Sequence, residues 1–339
     1  MSIFGKITLI LLIIFLPSCI TVRHESPPAG ERPPSRRIPN FSSRPQIPTA
    51  TITRGWSPNE EKISRHIITF PSINEHEVVK AEYWAQKTGG KKKLIIVLPI
   101  MDSTPFVGAH YAHVMTSWGD NDDFNVLLLK DTKKILYLEE MQRAKTETKF
   151  MQAVEASANA INNYVIDVRR LITWAETREE IDSKNIGIVG GSIAASISVI
   201  AMASDPRIKA GVFDKGGGEF HNVFAISDEP GLKRTREITM NRFGWNAEMF
   251  EKKILSQLAS VDPSTWAKMI NPARVLFISA EDDRWFGKYS VESLWEALGR
   301  PERVEYSTGH KFAFLLSLTI FGGHYADYKI FNHFNNRLK

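Results

Sequence analysis

Five short apolar runs constrain this chain more than any other feature: Lys93–Leu98 (KLIIVL), Phe124–Leu129 (FNVLLL), Asn185–Val189 (NIGIV), Ile208–Phe213 (IKAGVF) and Ala273–Ser279 (ARVLFIS). They lack the alternation of a strand with one wet face and are too short for core helices, so each reads as a strand covered on both sides. Helical periods fall between them. Met151, Val154, Ala158, Ile161, Val165, Val168 and Ile172 recur at intervals of three or four, one apolar face of a long helix. His110–Trp118, Ile193–Ala203 and Ser290–Leu298 read as further helices. Two antiparallel strands, Ile63–Phe70 and Glu77–Trp84, precede the series, and Arg303–Tyr306 closes it. Alternation of this kind predicts an α/β fold: a mostly parallel central sheet with helices on both faces. The pattern breaks at residues 215–270, a helical stretch expected as a cap between the sixth and seventh predicted strands.

At 339 residues and 43% hydrophobic content the chain is long enough to bury a sizeable core. Its single cysteine excludes a disulfide framework and a Cys-rich zinc site. The net charge of +5 is confined to the N-terminal part. Lys6 contributes +1, and Arg23, Arg32, Arg36, Arg37, Arg44 and Arg54 against Glu25 and Glu31 contribute +4, which leaves residues 55–339 neutral. A neutral body lacks the basic footprint of phosphate binding, so nucleic acid is not an expected partner.

The run Ile7–Leu16 is about 15 Å long as a helix, too short for a hydrocarbon core of about 30 Å. It has the length of a signal-peptide hydrophobic region. The following Leu16-Pro17-Ser18-Cys19 resembles the bacterial lipobox. That resemblance implies a signal peptide over residues 1–18, a lipid on Cys19 and cell-envelope localisation facing the periplasm. Ile20, not Asp, after the cysteine favours the outer membrane. Residues 19–60 hold eight of the seventeen prolines and few large apolar side chains, which predicts a disordered Pro/Arg-rich tether. The folded domain is expected over residues 61–339.

Chemistry enters at Val189-Gly190-Gly191-Ser192-Ile193-Ala194, a variant of G-x-S-x-G at a strand-to-helix junction. A serine projected from a sharp turn needs small neighbours, and the helix start offers the Ile193 amide to a developing oxyanion. With this segment, residues 61–339 resemble the α/β-hydrolase superfamily, in the manner of its dienelactone-hydrolase-like and esterase branches. The resemblance implies a triad with Ser192 as nucleophile. The family's acid loop falls on Ala280-Glu281-Asp282-Asp283 and aligns Asp283 with the triad acid, Asp282 being the near alternative and Asp214 a lesser one. Its general base falls on Gly309-His310, with His324 of Gly322-Gly323-His324 as rival. The order Ser192, Asp283, His310 is that of the fold. The second oxyanion amide is expected from the loop after Leu98, at Met101 in preference to Ile100, with Asp102 beside it.

The implied activity is hydrolysis of a carboxylic ester, with no metal or organic cofactor, on a small-molecule or lipid-like acyl substrate. Peptidase or acyltransferase action uses the same triad, and a catalytically inactive binding or scaffold lipoprotein is the reading from another class. Other signals are weaker. His110 and His113 lack a surrounding zinc motif and read as a helix surface. Asp120-Asn121-Asp122-Asp123 lacks the glycine and terminal glutamate of a calcium loop. Gly216-Gly217-Gly218 lacks the Lys-Ser/Thr of a P-loop. Phe243, Trp245 and Phe250 are either an acyl pocket or the core of the cap.

Overall fold

The apolar runs stay apolar along their length because both of their faces are covered. The computed structural model describes residues 22–25, 44–57, 59–74, 76–99, 105–118, 122–130, 134–317 and 323–339. Among them the strands, in chain order, are β1 (Val22–Glu25), β2 (Thr51–Gly55), β3 (Ile63–Pro71), β4 (Val78–Gln86), β5 (Lys92–Leu98), β6 (Phe124–Leu129), β7 (Ile181–Gly191), β8 (Ile208–Asp214), β9 (Val275–Ala280) and β10 (Glu302–Tyr306). They form one sheet in the order β1-β10-β9-β8-β7-β5-β6-β4-β3-β2. From β10 to β6 every neighbouring pair is parallel. The antiparallel additions are β1 at one edge and β4, β3 and β2 at the other.

The helices are α1 (Pro105–Ser117), α2 (Leu138–Arg143), α3 (Glu147–Ala175), α4 (Ile193–Ser204), α5 (Phe220–Ile226), α6 (Pro230–Phe243), α7 (Ala247–Leu258), α8 (Pro263–Ala267), α9 (Lys288–Ala297), α10 (His310–Ser317) and α11 (Gly323–Arg337). No described helix is long and apolar enough to cross a membrane. The pleat of β5 divides the core. Leu94, Ile96 and Leu98 join the side chains of α3, α4 and the helices from α5 to α9, whereas Ile95 and Val97 join those of α1, α10 and α11. The expected stripe on α3 is buried from Val154 to Ile172, and Thr146 caps the helix by accepting from the Lys149 amide. The interruption at 215–270 is helical, as α5 to α8, and lies between β8 and β9.

Several expectations need correction. Residues 22–25 and 51–55 fall within the stretch read as tether but are strands β1 and β2, at opposite edges of the sheet. A composition argument weighs apolar burial, whereas an edge strand is held largely by its backbone ladder, and β2 pairs Thr51 with Thr69 and Ile52 with Ile68. The helix expected over His110–Trp118 begins earlier, at Pro105, a residue suited to a first turn. The C-terminal α11 was not expected; it buries Ile330, Phe331 and Phe334. Cys19 lies outside the described residues.

Candidate active site

Strand β7 ends at Gly191 and α4 begins at Ile193, so Ser192 alone makes the turn. Its φ of 57° and ψ of −132° are left-handed backbone for a residue with a Cβ, a conformation costing about 1–3 kcal/mol. Close packing holds it there. The Ser192 amide donates to the Asp214 carbonyl over 2.8 Å. A Cβ on Gly190 would stand 2.5 Å from both the Ala194 carbonyl oxygen and the Ser198 hydroxyl, so only glycine lets α4 sit this near the strand.

The Ser192 hydroxyl lies 3.1 Å from His310 Nε2, and His310 Nδ1 lies 2.6 Å from Asp283 Oδ2. The three side chains come from loops after three different strands, β7, β9 and β10, at the carboxyl edge of the parallel sheet. Asp283 is fixed by its other oxygen, which accepts from the Trp285 amide at 2.9 Å and the Phe286 amide at 3.1 Å. The two loops are tied together by the Asp282 amide, which donates to the Thr308 carbonyl. Ser192, Asp283 and His310 are 5%, 4% and 5% exposed, which leaves their mutual contacts little screened by water.

Aromatic rings complete the setting and were not foreseen. Trp285 stacks on the His310 imidazole at 5.1 Å and 8°, Phe286 tilts against it at 5.8 Å, and Phe314 meets it edge-on at 5.3 Å. Beneath the turn, Lys215 is fully buried at φ 58° and its ammonium donates to Asp214, which also accepts from the Tyr111 hydroxyl. Burial pulls the Lys215 ammonium below its ordinary range against the pull of Asp214, and burial with Asp214 pushes the Tyr111 phenol well up. The Lys215 ammonium sits 4.0 Å above the Phe314 ring, the ring that touches His310. Nothing in the local sequence around Tyr111 or Lys215 marks them, because their meeting is made by the sheet.

The remaining candidates sort cleanly. Asp282 is exposed and Asp214 serves Lys215 and Tyr111, so of the three acids it is Asp283 that meets His310. His324 begins α11, with its side chain outside the described part; Ile100, Met101 and Asp102 lie outside the described residues altogether. His110 Nε2 is 2.8 Å from Asp327 while His113 is exposed, and no group of three or more metal-ligating side chains occurs among the described residues. Gly216 and Gly217 thread the chain past Ala195 and Phe286, where any Cβ would come within 2.8 and 2.6 Å. Phe243, Trp245 and Phe250 pack around Phe150 of α3 at 6.2, 5.5 and 6.2 Å, so they are core of the cap.

No family model matches the chain. The uncharacterised Bacillus subtilis protein YdjC is 31% identical over 81 residues, a stretch covering 24% of this chain and 65% of that protein. Among solved structures, an acetyl xylan esterase from a Paenibacillus species superposes with a TM-score of 0.63 at 13% identity, over 88% of this chain and 91% of that one. A second acetyl xylan esterase, from a Thermoanaerobacterium species, does so with 0.57 at 14% identity, over 84% and 88%. The chain has the α/β-hydrolase fold. An acylaminoacyl peptidase from Pyrococcus horikoshii matches with 0.55 at 13% identity over 84% of this chain but 44% of its own. In this fold Ser192 stands at the sharp turn between β7 and α4.

Proposed function

We propose that this protein is a serine hydrolase of carboxylic esters, held at the bacterial cell envelope by a lipid on Cys19. The observation that carries the reading is the unbroken hydrogen-bonded relay from the Ser192 hydroxyl through His310 to Asp283. In this relay His310 accepts the Ser192 proton at Nε2 and donates from Nδ1 to the Asp283 carboxylate, which fixes the tautomer. The Ser192 oxygen attacks the ester carbonyl carbon, and the proton passes to Nε2. Negative charge developing on the carbonyl oxygen faces the Ile193 amide at the start of α4, with Met101 as the proposed second donor. Collapse expels the alcohol with the proton from His310. Water then enters by the same path and releases the acid from Ser192. The anchor is supported by the lipobox-like Leu16-Pro17-Ser18-Cys19 after a short apolar run, and Ile20 favours the outer membrane.

The test is labelling of the folded protein with a fluorophosphonate, followed by peptide mapping and assays on matched ester and anilide substrates. A single adduct on Ser192 is expected, with esters turned over faster than anilides. Ser192→Ala should lose the adduct and about 10⁴-fold or more of kcat without loss of fold. A well-folded protein that takes up no label would point instead to a binding lipoprotein that kept the fold. Faster anilide turnover would make it a peptidase.

A further inference from the structure

The position of β1 bears on where the site faces. Strand β1 runs antiparallel to β10, with Val22 opposite Tyr306 and Glu25 opposite Arg303. Its first residue therefore lies at the carboxyl end of β10, the edge where Tyr306 leads within four residues to His310. Cys19 precedes Val22 by three residues, a reach of at most about 11 Å. A lipid on Cys19 would enter the membrane beside the site, with no long leash in between, because the proline-rich stretch follows β1.

The same edge exposes apolar side chains. Ile226, Tyr289 and Phe312 are 48%, 61% and 43% exposed. Phe312 lies two residues beyond His310 and Tyr289 two beyond Gly287, whose amide donates to the Asp283 carbonyl. Ile226 leans on the same turn: its Cδ1 stands 2.6 Å from where a Cβ on Gly287 would be. Lys311 lies 5.0 Å over the Trp285 ring, and Arg284 and Lys288 are exposed nearby in the chain. Exposed aromatics with apolar bodies and basic neighbours suit the boundary between headgroups and acyl chains better than water.

We propose that the carboxyl edge of the sheet, rimmed by Ile226, Tyr289 and Phe312, seats on the bilayer that holds the Cys19 lipid, and that the substrates are long-chain esters resident in that bilayer. This rests on the lipid-anchored serine-hydrolase reading. Anchoring beside the mouth raises the effective concentration of membrane esters at Ser192, an advantage that falls as the connection lengthens.

The experiment uses the full lipidated chain in vesicles of phosphatidylethanolamine and phosphatidylglycerol carrying a nitroxide headgroup lipid. Acylation consumes the single native cysteine, so Phe312→Cys and Lys91→Cys each accept one fluorophore, at the carboxyl edge and at the exposed residue just before β5 on the opposite edge. Quenching is expected at position 312 and not at 91; equal quenching, or stronger quenching at 91, overturns the orientation. In a second arm, about twenty Gly/Ser residues are inserted after Ile20. Hydrolysis of a long-chain ester in the vesicles should fall about tenfold while a water-soluble acetyl ester is turned over unchanged. Equal rates on the vesicle ester overturn the substrate assignment. Mass analysis of the Cys19 peptide and fluorophosphonate labelling of Ser192 accompany both arms. An unacylated cysteine overturns the anchor and the orientation with it, whereas an unlabelled Ser192 with normal quenching overturns the hydrolase reading and the substrate assignment and leaves the orientation standing.

Discussion

A strained serine is kept only where its surroundings over-determine it, and at Ser192 the decisive neighbour is Gly190. Of the two oxygens that a Gly190 Cβ would strike, the Ala194 carbonyl is backbone and cannot rotate away. Gly190→Ala is expected to cost about 1–3 kcal/mol through overpacking, read as a lowered urea midpoint with an unchanged slope. A slope that changes, or a midpoint that does not, would count against the packing argument. A second residue governs acid stability. His333 on α11 is buried with its Nε2 donating to the Arg274 carbonyl, and burial pulls its pKa down to about 4 from an ordinary 6.5. Between those values the unfolded chain binds the proton and the folded chain does not, so stability is full above pH 6.5 and is lost as pH falls toward 4. The loss is on the order of 3 kcal/mol at its limit. Melting curves of His333→Gln should be flatter than wild type across that window; parallel curves would remove His333 from the account. Ser192 was legible because small residues flank it between a strand and a helix, whereas Asp283 and His310 were expected only from what the family resemblance implies. Trp285, Phe314 and Lys215 were not, since what they do is defined by rings and charges brought to them through space.

At the scale of elements, α3 shows what periodicity reveals and what it withholds. Its apolar stripe was plain, but a stripe does not say what covers it. Phe150, near its first turn, is covered by Phe243, Trp245 and Phe250 from the cap, so the cap is bolted to the body by an aromatic cluster. Phe150→Ala should destabilise the protein by about 3–5 kcal/mol, seen in urea unfolding followed by tryptophan fluorescence. A loss under 1 kcal/mol would mean that the cap is only loosely attached. The central strands were legible because a strand covered on both faces must be apolar throughout. Strands β1 and β2 were not, because edge pairing asks little of side chains.

For the molecule as a whole, β1 closes the β10 edge from a distance of 284 residues in the chain, Val22 lying opposite Tyr306. A protein beginning at Arg44 keeps β2 and the Arg44–Glu176 ion pair but leaves β10 bare. It should fold, with a melting temperature near that of the longer chain, and should self-associate as concentration rises through the open edge. Sedimentation velocity decides this, and a monomer at every concentration would show that β1 is not needed as an edge cover. The sequence alone determined the alternation of covered strands and helices and the small-residue turn that carries Ser192, because those rest on local periodicity and on short-range backbone demands. Tertiary structure decided which acid meets His310, since one residue of register separates an exposed Asp282 from a buried Asp283. It also decided that the aromatic cap residues are core, that Lys215 and Tyr111 share Asp214, and that β1 returns to the edge beside the site. Those are pairings between distant segments, fixed by packing and backbone ladders that no local pattern encodes.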